Sequence, residues 1–296
     1  MINFNTVKFN NPTTVQKAVV KEHSTQAKSA ETTTSSNPFR VLPQGYMPVN
    51  FTARAEDKMK QPTTAVKKQI LYAEAVVNNM KNKYGCISPS KVIYTFNKEN
   101  RTKEQEKWLQ DKQKKLENLR AEYPCSDEGL EFAQNILSNV SSKDKDKKIA
   151  NCYEYAKMAE TALRANGFKN VTTVKLVGYT NPKFKSSYDM DHNFVVVNGD
   201  FDWTKDSVPW NEYDEKFGKN AFVVDPWLGI VDTVENAMKI YQKTWENIPH
   251  YRGVTGYSME ETGSLELSSQ DVKKIRASHP ELIVNKETVD LSRYEK

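Results

Sequence analysis

Three short stretches of this sequence put a reactive side chain where a regular element would begin or end: Asn151-Cys152-Tyr-Glu-Tyr155, Asp191-His192-Asn-Phe-Val195 and Val223-Val-Asp225-Pro-Trp-Leu-Gly229. Together they supply a thiol, an imidazole and a carboxylate, the set needed for nucleophilic attack on a carbonyl with a shuttled proton. At a helix N-terminus the unpaired N–H groups and the positive end of the dipole favour thiolate over thiol, so Cys152 stands where a nucleophilic cysteine gains most. Its own amide N–H is placed there to receive an oxyanion. His192, opening a strand, has an ordinary pKa suited to taking and returning a proton near neutrality. Asp225, ending a neighbouring strand before Pro226, would hold the imidazole tautomer.

Blander readings compete at each position. Cys86 and Cys125 read as small buried apolar residues. His23 lies in a polar stretch, and His250 and His279 adjoin prolines as surface or turn residues. Asp225 could serve only as a turn former before proline, with Asp189 or Asp191 as the partner of the histidine. Alternation along a strand argues against Asp191, which would face away from His192. Glu154, in the first helical turn, reads as a residue that suits the dipole. A zinc site from Cys152, His192 and Asp225 lacks a close-spaced ligand pair. A calcium loop starting at Asp200 has Lys205 where Gly is needed and Asn211 in place of the closing Glu. No metal and no cofactor is expected.

The elements that must position these residues follow from periodicity. Val66, Ile70, Ala73, Val77 and Met80 predict a helix over 64–83, ended by Gly85. Lys91-Val-Ile-Tyr-Thr-Phe96 reads as a short β-like piece, followed by a charged helix over 98–122 and another through Leu130, Ile136 and Val140. Cys152 opens a helix to about Asn166 with Gly167 as its stop. Strands are predicted at 171–177, 192–197 and 221–224, then helices over 233–245 and 270–278, the last capped by Ser269. The expected organisation is a disordered polar tail over 1–62, a helical region over 63–148 packing on the core, and a catalytic core over 149–296 with C-terminal helices. A helix followed by strands implies an α+β fold.

In this order and on these elements, the residues resemble the transglutaminase-like superfamily, whose papain-like core carries Cys, His and Asp in sequence. The resemblance rests on Asn151-Cys152-Tyr-Glu-Tyr-Ala156, Leu163-Arg-Ala-Asn-Gly167, Val174-Lys-Leu-Val-Gly-Tyr179, His192-Asn-Phe-Val-Val-Val197 and Val223-Val-Asp225-Pro-Trp227, and covers about residues 149–233. It implies a nucleophile helix packed on an antiparallel sheet and a thiol-dependent acyl transfer on protein or peptide amides. A cysteine protease is favoured; the alternatives are a glutamine deamidase or transglutaminase on the same core, or an inactive peptide-binding module. Two positions depart from the family pattern. Ala150 stands where Gly is common, and Asp146 stands where papain-type proteases carry a glutamine that helps bind the oxyanion. The second oxyanion donor is therefore open between Asn151 and the indole N–H groups of Trp203 and Trp227.

Composition bounds the rest. The 296 residues suffice for a substantial core, and three cysteines without a C-x-x-C spacing exclude a secreted disulfide framework. No run approaches the roughly 18–20 apolar residues of a membrane span, and Met1 to Val20 lack a cleavable signal. The expected location is the cytoplasm, or export through a non-cleaved N-terminal signal. Of the net charge of +5, residues 1–62 hold eight Lys or Arg against four Asp or Glu, whereas residues 149–233 hold nine against twelve. The core therefore shows no basic surface for nucleic acid. Acidic and aromatic residues interleave through the long stretch 198–220, which would suit a basic or extended peptide, so the expected partner is a protein or peptide substrate.

Overall fold

The computed structural model describes residues 62–95, 101–123, 129–145, 147–179, 190–200, 208–209, 217–247 and 256–290. The expected disordered tail, Trp203 and most of the acidic stretch lie outside the described residues. The described residues belong to one compact unit, of mixed α+β class.

Helix α1 (Thr64–Tyr84) starts where the Thr63 hydroxyl accepts from the Val66 N–H and stops at Gly85, whose φ of 51° is the left-handed conformation that favours glycine. The next element corrects the β-like reading of 91–96: Pro89–Thr95 is a helix, α2. Its β-branched residues are overridden by a strong local start. Ser88 Oγ accepts from the Lys91 N–H at 3.4 Å, Ser88 O accepts from the Val92 N–H at 3.3 Å, and Pro89 fills a first-turn position where no N–H is needed. Helix α3 (Lys103–Ala121) opens with a Thr102/Gln105 capping box. Helix α4 (Leu130–Ser141) buries Phe132, Ala133, Ile136, Leu137 and Val140, whereas Leu130, expected on the same stripe, is half-buried.

Helix α5 (Cys152–Ala165) ends in a Schellman motif, with Gly167 N–H to Arg164 O at 3.0 Å and Phe168 N–H to Leu163 O at 3.1 Å. The strands are β1 (Val171–Tyr179), β2 (Met190–Val197), β3 (Val208–Pro209), β4 (Phe222–Asp225), β5 (Ile230–Thr233) and β6 (Gly256–Glu261), in the order β3-β6-β1-β2-β4-β5 with every pairing antiparallel. Sequence reading missed β3, β5 and β6. Helix α6 (Val234–Asn247) crosses from β5, and α7 (Ser269–Ser278) is capped by Ser268 rather than Ser269. No helix among the described residues is long and apolar enough to cross a membrane.

Alternation gives the sheet two apolar faces. Val171, Val195, Val197, Phe222 and Val224 join α1, α4 and α5 in one cluster, whereas Val174, Leu176, Phe194, Val196 and Val223 join α6 in the other. Of the helices before residue 149, α1 and α4 therefore share a core with the sheet.

Buried polar residues fix α5 against this framework. Glu160, with no exposure, accepts from Arg164 Nη2 at 3.0 Å, Thr173 Oγ1 at 2.6 Å and the Leu265 N–H at 2.8 Å. The equally buried Lys157 ammonium lies 3.8 Å from it and donates to Gly263 O. At the far end of α5, Asn166 Nδ2 donates to Leu282 O at 2.9 Å, and its Oδ1 accepts from the Val284 N–H at 2.9 Å and the Tyr72 hydroxyl at 3.2 Å. Removing one member of a buried charge network leaves the others uncompensated, at about 3–5 kcal/mol. Glu160→Ala is thus expected to lower the unfolding free energy by about that amount in urea titrations; a loss below about 1 kcal/mol would show that the network is dispensable.

Candidate active site

The chain enters α5 through a parallel bridge in which Ile87 N–H donates to Lys148 O and Ala150 N–H donates to Ile87 O, both at 2.9 Å. Asn151, the N-cap residue, is extended at φ −99° and ψ −170°. Its Oδ1 accepts from Ser88 Oγ at 3.2 Å, the Ser90 N–H at 3.0 Å and Ser90 Oγ at 2.8 Å. Its backbone N–H donates to Glu154 Oε2 at 2.9 Å. Glu154 has more than a dipole role: it is 1 % exposed and takes two bonds from Arg120 of α3, Nε to Oε1 at 2.6 Å and Nη2 to Oε2 at 2.9 Å. The start of α5 is thereby pinned from two directions. Cys152, a half-buried free thiol, is the first residue of α5, where backbone N–H groups lack intrahelical partners.

His192 and Asp225 come from neighbouring strands. The pairing Val196↔Val223 puts Phe194 and Asp225 on a common face two residues further on, with His192 next along β2. His192 Nε2 meets Asp225 Oδ2 at 2.6 Å. Asp225, with no exposure, also accepts the Tyr241 hydroxyl on Oδ2 at 2.9 Å and the Leu228 N–H on Oδ1 at 2.9 Å. The latter needs the chain to fold back after β4, which it does through Gly229 at φ 81°, with Gly229 N–H to Asp225 O at 2.8 Å.

Rings enclose the imidazole: Trp227 at 5.1 Å, Trp245 at 5.3 Å and Tyr241 at 5.7 Å between centroids. Burial alone would depress the His192 pKa. The Asp225 charge and hydrogen bond, and a hydrogen bond with Cys152, outweigh it and raise the value to about 10. Because Asp225 occupies Nε2, the nitrogen that remains for the thiol is Nδ1. The structure thus brings Cys152, His192 and Asp225 together, and Asp191 is exposed on the other face of β2. Asp189 lies outside the described residues.

The oxyanion candidates fare differently. Trp203 lies outside the described residues. The Trp227 indole N–H donates to Ser88 Oγ at 2.8 Å, and the Trp227 carbonyl accepts Lys91 Nζ at 2.8 Å, so this residue ties the β4–β5 turn to α2. Asn151 Oδ1 accepts from Ser88 and Ser90, which anchors the helix start. The sequence reading missed Tyr241, Arg120 and Asn193. Asn193 Nδ2 lies 3.9 Å from Cys152 Sγ; its only signal was its place beside His192. Burial pushes the Cys86 thiol up to about 12. Among the described residues no cluster of His, Cys, Asp and Glu is arranged to hold a metal ion.

A raised histidine pKa has a definite consequence for stability. Below about 6.5 both folded and unfolded chains are protonated at His192 and its contribution is complete; as pH rises toward about 10, only the folded state keeps the proton and the contribution is lost. The stability gap between wild type and His192→Gln is expected to shrink by up to about 2 kcal/mol between pH 7 and 8.5 in urea titrations. A gap independent of pH would mean that the folded imidazole is neutral. Compared with protein-family models, curated proteins and solved structures, the chain shows no significant match to any of them.

Proposed function

We propose that the protein is a thiol-dependent acyl-transfer enzyme of transglutaminase-like type, acting on protein or peptide amides, with peptide-bond hydrolysis as the favoured reaction. The observation that carries this reading is the buried His192–Asp225 pair at 2.6 Å, with a thiol at a helix start close enough to raise the imidazole pKa. The arrangement of a nucleophile helix against an antiparallel sheet, with His and Asp on adjacent strands, supports a papain-like core.

The steps follow from the geometry. His192 takes the Cys152 proton on Nδ1, and its raised pKa favours holding that proton on the imidazole. The thiolate adds to the amide carbon, forming an S–C bond while the carbonyl π pair moves to oxygen. As that pair returns, the C–N bond breaks and the leaving nitrogen takes the proton from His192. Water, losing a proton to His192, then adds to the thioester; collapse releases the acid and restores the thiol. Asp225 keeps Nε2–H as the fixed tautomer and balances the imidazolium, and Tyr241 and Leu228 hold Asp225 still. A glutamine side chain would react by the same steps, with ammonia as leaving group and water or an amine as acceptor.

Intact-mass analysis of a glutamine-containing peptide incubated with the protein, with and without an added amine, separates the outcomes. Two fragments are expected; a gain of about one dalton or an amine adduct would move the reaction to the glutamine side chain. Cys152→Ala is expected to abolish turnover, and Asp225→Asn to lower kcat by about 100- to 10,000-fold. Turnover by Cys152→Ala equal to wild type would sink the mechanism.

A further inference from the structure

Asn193 takes no part in the proton relay, yet it is buried, at 6 % exposure, with its amide aimed at the nucleophile. The Nδ2 atom lies 3.9 Å from Cys152 Sγ, and Oδ1 accepts the Thr262 hydroxyl at 3.3 Å. With Oδ1 accepting from the Thr262 hydroxyl, the NH₂ group faces the sulfur. Thr262 is itself anchored, since its backbone N–H donates to Thr173 O on β1 at 3.1 Å.

At 3.9 Å the amide is too distant for a strong hydrogen bond to sulfur. The gap instead leaves room beside Sγ for the oxygen of a carbonyl whose carbon is bonding to Sγ. That oxygen, once anionic, wants donors about 2.7–3.1 Å away. The Cys152 N–H, in the open first turn of α5, supplies one. The indole N–H of Trp227 is committed to Ser88.

We propose that Asn193 is the second oxyanion donor of this site. Its Nδ2–H and the Cys152 N–H together hold the oxygen that gains the carbonyl π pair as the S–C bond forms, and no bond of Asn193 changes in the step. The assignment rests on Cys152 being the nucleophile.

The test uses the full-length chain with two probes. N-acetylglycinal labelled with ¹³C at the aldehyde adds to the Cys152 thiolate as a hemithioacetal, which fills the oxyanion position and is read by ¹³C NMR. Iodoacetamide alkylates the same thiolate by displacing iodide, with no oxyanion formed. Asn193→Ala is expected to weaken aldehyde binding by about 100-fold, while the alkylation rate and its pH profile stay within about twofold of wild type. Thr262→Val, which frees the amide to rotate, is expected to give a smaller loss in the same direction. Unchanged aldehyde affinity in Asn193→Ala would overturn the proposal, as would alkylation falling in step with aldehyde binding, because Asn193 would then act on the thiolate alone. Absence of both adducts in the wild type would overturn the nucleophile assignment itself, a separate result. If circular dichroism shows Asn193→Ala unfolded, Thr262→Val carries the test: wild-type aldehyde affinity in that variant overturns the proposal.

Discussion

A carboxylate shut away from water dictates the arrangement of half this molecule. Asp225 has no exposed surface, and an ionised carboxylate in that position is tolerable only when its lone pairs are occupied. Three donors from three elements do this: His192 from β2, Tyr241 from α6 and the Leu228 N–H from the turn. Each donor constrains its element. Strand β4 must stop at Asp225, the chain must double back through Gly229, and α6 must lie across the sheet with Tyr241 inward. Moving any one of them would strand a buried charge, so the network behaves as a unit.

The nucleophile is held by an equivalent arrangement built from the other end of the chain. Ser88 and Ser90 secure the Asn151 side chain, and Arg120 secures Glu154, which in turn secures the Asn151 N–H. Trp227 joins the two halves, with its ring against His192 and its indole N–H on Ser88. The early helices thus set the position of the sulfur relative to the imidazole.

Local signals made part of this legible in the sequence. Cys152 before an amphipathic run, His192 opening a β-branched run and Asp225 before proline each declare themselves within a few residues, which is why the three could be named without a structure. Their helpers could not. Tyr241 looks like any residue on the apolar stripe of α6, Asn193 like any strand residue facing away from its neighbour, and Arg120 like one charge among many on α3. Their roles come from pairings across 16, 41 and 34 positions of sequence, which no periodicity encodes. The misread segment 91–96 is different in kind: the β-branched pair Val92-Ile93 outweighed a start signal, Ser88-Pro89, that was available. Strand β6, Gly-Tyr-Ser-Met-Glu-Glu, contains no β-branched residue, and the four-residue β5 runs straight into α6.

The long reach of these contacts bears on the order in which the molecule comes into being. The tie from Tyr72 to Val284 spans 212 positions, and α5 sits between the two. On a ribosome, the thiol is made before its histidine, its aspartate, and the C-terminal residues that clasp the far end of its helix. At typical synthesis rates of about 5–20 residues/s, that interval is roughly 7–25 s. For the first part of it, until His192 is added, Cys152 belongs to a nascent chain that lacks its proton acceptor. The enclosure of the thiol therefore waits on residues made well after it.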